Sequence, residues 1–228
     1  MDRTLFRESD TMTLLTSLRR RALTVATLAT LSLGLVHAAH AADAGAPDQL
    51  IRQLSLETIE AVKADKDIQA GNINKIIALV DSKVMPHINF QRMTASAVGR
   101  FWRQATPEQQ AKLQAEFKTL LVRTYAGALT QVKDQTIGLK PLRAQPTDTE
   151  VVVRTEIRGK GDPIQLDYRL EKAGDVWKIY DVNVLGIWLA DQYRNSFAQE
   201  IGANGIDGLI KSLADKNAKA AGATPAKG

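Results

Sequence analysis

His37, His40 and His87 are the only histidines in this 228-residue chain, and it contains no cysteine. Without cysteine there is no thiolate nucleophile, disulfide, Cys-ligated zinc or iron–sulfur cluster. His37 and His40 fall in a segment read below as a cleaved leader, which leaves the mature chain with His87 alone. One histidine excludes a His-rich zinc or copper site, a His-Glu-x-x-His protease and a two-His-one-carboxylate iron site. A Ser-His-Asp triad would have to use His87, which adjoins Pro86 in a chain without a Gly-x-Ser-x-Gly turn, and a boundary histidine is the better reading.

Other residue groups suggest chemistry and fail on spacing. Gly159-Lys160-Gly161 has the composition of a phosphate cradle but lacks G-x-x-x-x-G-K-[ST], and it joins two strand-like runs, as a hairpin turn does. Asp65 with Asp67, and Asp181 with Asp191, supply carboxylates without the pattern of a calcium loop, and read as caps or solvated faces. Arg92, Arg100, Arg103 and Arg123 flank the meeting of two expected helices, where they either face a phosphate or, more simply, form an exposed basic face. Spacing therefore gives no catalytic constellation.

The elements around these residues alternate in period. Leu50, Ile51, Leu54, Ile59 and Val62 form a helical stripe, and Asn72 caps a second helix carrying Ile73, Ile76, Ile77, Val80 and Val84. Met85-Pro86 stops that helix, and a third is expected from about Asn89 to Gln104. Thr106-Pro107-Glu108-Gln109 is a capping box with proline at the first helical position. It opens a long fourth helix striped by Leu113, Phe117, Leu120, Leu121, Tyr125, Ala128 and Val132.

From Gln135 the period becomes 2, in four extended runs broken at Pro146-Thr147-Asp148, Gly159 to Asp162 and Ala173-Gly174-Asp175. Val151, Val153, Thr155 and Ile157 oppose Glu150, Arg154, Glu156 and Arg158, and Ile164, Leu166, Tyr168 and Leu170 oppose Gln165, Asp167, Arg169 and Glu171. One sheet face is thus polar, as antiparallel sheets allow. The fourth run, Val176 to Leu185, is apolar on both faces. Two further helices follow, on Leu189, Tyr193, Phe197 and Ile201 and then on Ile206, Leu209, Ile210 and Leu213. The expectation is one α+β domain over residues 47–214: N-terminal helices, a four-stranded antiparallel meander and C-terminal helices, with an Ala/Gly/Lys-rich flexible tail at 215–228.

At the N-terminus, Arg19-Arg20-Arg21 precede an uncharged run from Ala22 to Val36 and then His-Ala-Ala-His-Ala-Ala. A signal peptide spanning 1–41, cleaved near Ala41, and a linker at 42–46 are expected, with Met12 an alternative start to Met1. The run of 15 residues is short of the ~20 a membrane-spanning helix needs. Removing residues 1–41 takes 5 basic and 3 acidic residues from totals of 30 and 25, leaving 25 against 22 and a net charge of +3. That balance, an exported location and the lack of a basic block interleaved with aromatics argue against a nucleic-acid partner.

Six ordered blocks carry a resemblance. They are Phe101 to Gln109 (FWRQATPEQ), Leu121 to Tyr125 (LVRTY), Asp167 to Leu170 (DYRL), Trp177 to Val182 (WKIYDV), Gly186-Ile187 with Tyr193-Arg194 and Phe197, and Gly205 to Ile210 (GIDGLI). Together they resemble the MlaC or toluene-tolerance family of periplasmic phospholipid-binding proteins of the Mla pathway, over about residues 47 to 214. Trp188 departs from the small polar residue expected there, a change in a cavity wall.

The resemblance implies an NTF2-like sheet part and an apolar cavity between helices and sheet that holds acyl chains, with the headgroup near solvent. The wall residues it implies are Val80, Phe90, Met93, Val98, Phe101, Trp102, Phe117, Leu121, Tyr125, Leu139, Val151, Val153, Leu166, Tyr168, Tyr180, Val182 and Trp188. It further implies phospholipid as cargo rather than cofactor, no enzymatic activity, and two docking partners. These are the outer-membrane lipoprotein MlaA with its porin and an inner-membrane ABC transporter bearing an MCE-domain ring. Around 30 methylenes at ~0.8 kcal/mol each give roughly 24 kcal/mol of transfer from water, beyond the practical ceiling for noncovalent affinity. Exchange must therefore be with a bilayer or a partner, not with free lipid. Two alternatives stand beside this reading: an NTF2-like periplasmic enzyme using a buried Asp167 or Asp181, and an interaction module with a filled core.

Overall fold

The computed structural model describes residues 45–132, 134–160 and 162–222. The expected signal peptide and its cleavage site lie outside them. The architecture is α+β, with helices before and after an antiparallel sheet.

Helix α1 (Pro47–Ala64) starts at a proline and buries Ile51, Leu54 and Val62. Asp65 then caps the short α2 (Lys66–Gln69) by accepting from the backbone of Asp67 and Ile68, which realises the cap reading of its carboxylate. Asn72 caps α3 (Ile73–Leu79) in the same way. The chain runs on through a wider turn at Val80–Val84 and a tight one at Met85–His87, where Pro86 denies the helix a donor.

The single helix expected over Asn89 to Gln104 is split. Gly99, at φ 65°, ends α4 (Phe90–Val98), and a 3₁₀ segment occupies Gly99–Gln104. α5 (Pro107–Thr130) has its capping box: Gln109 N donates to the Thr106 hydroxyl at 3.2 Å and Thr106 N donates to Gln109 Oε1 at 3.0 Å.

The last two expected helices are the arms of one hairpin, α6 (Leu189–Gly222), which turns at Gly205 with φ 73° and ψ −179°. The first arm runs antiparallel to α5: Phe197 meets Phe117 at 5.3 Å and Gln192 meets the Tyr125 hydroxyl at 3.5 Å. The second returns parallel to it, with Asp207 bonded to Gln109 and Asn217 bonded to Glu116. Helix persists to Gly222, beyond the end expected at 214, because Asn217 is buried and donates to both the backbone and the carboxylate of Glu116.

The sheet has five strands in sequence order, all antiparallel: β1 (Thr136–Leu139), β2 (Glu150–Arg158), β3 (Ile164–Ala173), β4 (Val176–Val184) and β5 (Ile187–Trp188). The expectation of four strands missed β5, whose two residues are too few to show a period. Register pairs Val151 with Leu170, Val153 with Tyr168 and Thr155 with Leu166, and Tyr168 in turn with Val182. These define an apolar inner face. The outer face carries Glu150, Arg154, Asp167, Arg169, Glu171, Asp181 and Asn183. At a bulge the partner of Arg169 is Asp181 while that of Leu170 is Ile179, so Tyr180 is the unpaired extra residue.

Two apolar clusters meet on the inner face. Ile51 and Leu54 of α1 pack on Val151, Val153, Leu170 and Ile179. The other cluster is helical, centred on Phe117 among Phe90, Met93, Val98, Leu113, Phe197 and Ile201. Ile88 and Val182 pack against both and join them.

Candidate functional site

Exposure grades steeply along the inner face. Leu170 is 0 % exposed under α1, Tyr168 and Leu166 are half-buried, and Ile164 at the strand end is 45 % exposed. The register carries this apolar end across the whole sheet: Ile137 pairs with Ile157, Ile157 with Ile164, Leu166 with Val184, and Val184 with Ile187. Ile137, Ile157, Ile164, Leu166 and Ile187 belong to none of the buried apolar clusters among the described residues. An apolar shelf thus leads inward, from the turns at one end of the sheet to the junction of the two cores.

Tyr168 marks where the shelf passes beneath the helices. Burial pushes its phenol pKa up, opposed by hydrogen bonds with Thr155 and Ser55. Burial likewise raises the Tyr125 and Tyr193 phenols on the helical side.

The residues implied by the resemblance distribute over this geometry in four ways. Phe90, Met93, Val98, Phe117 and Leu121 are buried in the helical cluster, with Phe101, Trp102, Tyr125 and Val182 packed against it. Val151 and Val153 are buried in the α1–sheet cluster, with Leu139 and Tyr168 against it. Leu166 lies on the inner face outside both, and Val80 is half-buried in the wide turn after α3. Tyr180 and Trp188 are on the outer face, because the bulge turns Tyr180 toward Glu150 and Trp188 pairs with Asn183. Val153, Leu166 and Tyr180 therefore do not share one wall. The shelf residues outside the implied set are Ile164 and Ile187, which are exposed, and Ile137, Ile157 and Val184, which are half-buried, Val184 against the helical cluster; the alternation already placed Ile157 and Ile164 with the apolar residues.

Two arginines organise the outer face. Arg92 of α4 bonds Glu150 at 2.6 Å, also bonds Glu171, and lies 3.6 Å from the ring centre of Tyr180. Tyr180 donates to Glu150 at 3.0 Å and Asn89 donates to Glu171 at 2.6 Å. Arg92 and Tyr180 hold the Glu150 carboxyl below its usual range against the opposing effect of burial. Arg169 bonds Asp181 at 3.1 Å and stacks 3.9 Å from Trp188. Asp181 accepts from Val182 N at 2.9 Å and Ala190 N at 3.1 Å, so it caps the start of α6, while burial raises its pKa.

Of the four arginines, Arg100 and Arg103 are exposed, as the basic-face reading has them, with Arg100 stacked on Phe101 at 4.9 Å, whereas Arg92 is engaged by two glutamates. Asp167 and Asp181 lie on the outer face, turned away from the apolar space that an enzyme of this shape would use. Among the described residues no group of three or more His, Asp or Glu is placed to hold a metal, and no helix is long and apolar enough to cross a membrane.

The geometry defines an α+β protein whose sheet has an apolar inner face that becomes exposed toward one end. The profile of the family described as "MlaC protein" matches residues 52–215, and the chain belongs to that family. It is similar to toluene tolerance protein ttg2D of Pseudomonas putida, 28 % identical over 177 residues, which cover 76 % of this chain and 82 % of that protein. The intermembrane phospholipid transport system binding protein MlaC of Haemophilus influenzae is 22 % identical over 171 residues, 73 % of this chain and 80 % of that one. A phospholipid-binding protein from Ralstonia solanacearum, solved in complex with a phospholipid, aligns with a TM-score of 0.74 at 45 % identity, covering 76 % of this chain and 98 % of that one.

Proposed function

We propose that this protein carries a phospholipid, its acyl chains lying between the inner face of the sheet and the helices. The observation that supports this most is the likeness to the Ralstonia protein in complex with a phospholipid, at 45 % identity over 98 % of that chain. The apolar shelf on the inner face agrees with it. In this reading the mature chain works in the periplasm after cleavage near Ala41. It passes lipid between the outer-membrane lipoprotein MlaA with its porin and the inner-membrane ABC transporter with its MCE ring. The cargo is not chemically changed and no cofactor takes part. Exchange between two apolar environments is nearly balanced, so direction comes from the partners.

Lipid capture tests the carrier reading. Mature protein is incubated with vesicles containing a labelled diacyl phospholipid and then separated by gel filtration. Wild type is expected to elute with label, and Leu166→Trp, which fills space on the inner face, to elute with much less at a nearly unchanged melting temperature. Normal capture by a severely destabilised Leu166→Trp would place Leu166 in packed core, where overpacking costs ~1–3 kcal/mol.

A further inference from the structure

Among the described residues, five large aliphatic side chains stand out as exposed, and three of them gather at one end of the sheet: Leu185 at 65 %, Ile187 at 55 % and Ile164 at 45 %. Ile164 starts β3, Ile187 starts β5 and Leu185 lies on the turn between β4 and β5, close to the start of β3 because Leu185 N donates to the Gln165 carbonyl at 3.1 Å. The β4–β5 turn is held in an unusual way. Leu185 has φ 52° and Gly186 φ 91°, so a leucine takes a left-handed position that asparagine, aspartate or glycine occupies without strain. The sequence thus accepts a backbone cost to keep an aliphatic side chain in solvent.

We infer that this end of the sheet docks on a lipid bilayer, Leu185, Ile164 and Ile187 entering the acyl layer so that chains cross between bilayer and protein along the inner face. The inference deepens the carrier reading and rests on it. Continuity is the first argument: Ile164 and Ile187 are the outermost members of the apolar shelf that runs through Leu166 and Val184 to Tyr168 and Val182. Size is the second, because three side chains at two strand ends and one turn fall far short of the ~800 Å² per partner that a stable protein interface buries. A fluid bilayer conforms to such a tip. Charge is the third. Lys160, on the β2–β3 turn beside Ile164, is an exposed cation suited to lipid phosphate, with Asp162 the acid of the same turn, while the exposed Arg158 is paired with Glu156 at 2.6 Å.

The test uses the full mature protein and vesicles of phosphatidylethanolamine with phosphatidylglycerol. Flotation measures association, and a labelled lipid in the vesicles measures transfer into the protein. Leu185→Asn suits the left-handed turn, so its melting temperature is expected to equal or exceed that of wild type, while association and initial transfer rate fall about tenfold. Leu185→Phe keeps an apolar tip and is expected to retain both. Association of Leu185→Asn equal to that of wild type overturns the inference, and so does equal loss in Leu185→Phe. A wild-type dimer that Leu185→Asn dissolves, seen by sedimentation, overturns it in favour of a second copy of this chain. Phospholipid extracted from the same preparations separates the two readings. Its presence with unchanged flotation sinks the docking tip alone, and its absence, even after incubation with vesicles, sinks the carrier.

Discussion

Gly208 has no room for a methyl group: a Cβ built there would come 2.3 Å from Cβ of Asn204. The turn at Gly205 folds Asn204 back onto the start of the second arm of α6, and neither atom is the free end of a flexible side chain. Gly208→Ala is expected to cost ~1–3 kcal/mol in denaturant unfolding. Gly202→Ala, where a Cβ meets nothing within 4 Å, is expected to stabilise by ~0.5–1 kcal/mol. Equal effects at the two sites would refute this account of the hairpin.

Asp181 gives a residue-scale prediction in pH. Burial raises its carboxyl above the ordinary value of 3.8, so the protonated form is the one the fold favours. Its contribution is fully present below the unfolded value and is lost as pH rises through the folded pKa. Asp181→Asn keeps an acceptor for the Val182 and Ala190 amides but never ionises. It is expected to gain stability relative to wild type between acidic and neutral pH, as paired chemical denaturations would show. A difference that is flat in pH, or that shrinks, would contradict the assignment.

At the scale of elements, Arg92 fastens α4 to the sheet through Glu150 and Glu171. Glu150 is held below its ordinary value of 4.5, so its stabilising contribution is present above that pH and fades as pH falls through the lowered pKa. Arg92→Gln is expected to lose ~1 kcal/mol at neutral pH, a modest figure because solvent screens the pair, and the deficit should narrow on acidification. A deficit that widens in acid would show that the pairing with Glu150 is not its source.

Alternation and capping were legible in the chain. The capping box at Thr106, the cap at Asn72 and the two-faced pattern of β2 and β3 are local chemistry, and each appears where the residues put it. What escaped is non-local. The bulge that turns Tyr180 outward depends on how β4 meets β3, and two residues cannot announce β5. Arg92 finds Glu171 from 79 positions away, a distance over which spacing carries no information. Helix past 214 rests on Asn217 reaching Glu116, from 101 positions away.

At the scale of the whole molecule, the two cores meet where the apolar shelf passes under the helices, and a guest there would touch aliphatic groups rather than a polar cage. Tails should therefore dominate affinity. Phosphatidylethanolamine and phosphatidylglycerol are expected to compete within about tenfold. Hundredfold discrimination, equivalent to about 2.7 kcal/mol, would require a headgroup site that the apolar shelf does not provide.

The most direct measurement is of what the protein already holds. Mature protein purified from the periplasm without detergent is extracted with organic solvent, and the extract is analysed by mass spectrometry against protein concentration. The account predicts diacyl phospholipid in fixed stoichiometry with wild type and strong depletion in Leu166→Trp. Folded wild-type protein that yields no phospholipid, fresh or after incubation with vesicles, would contradict it.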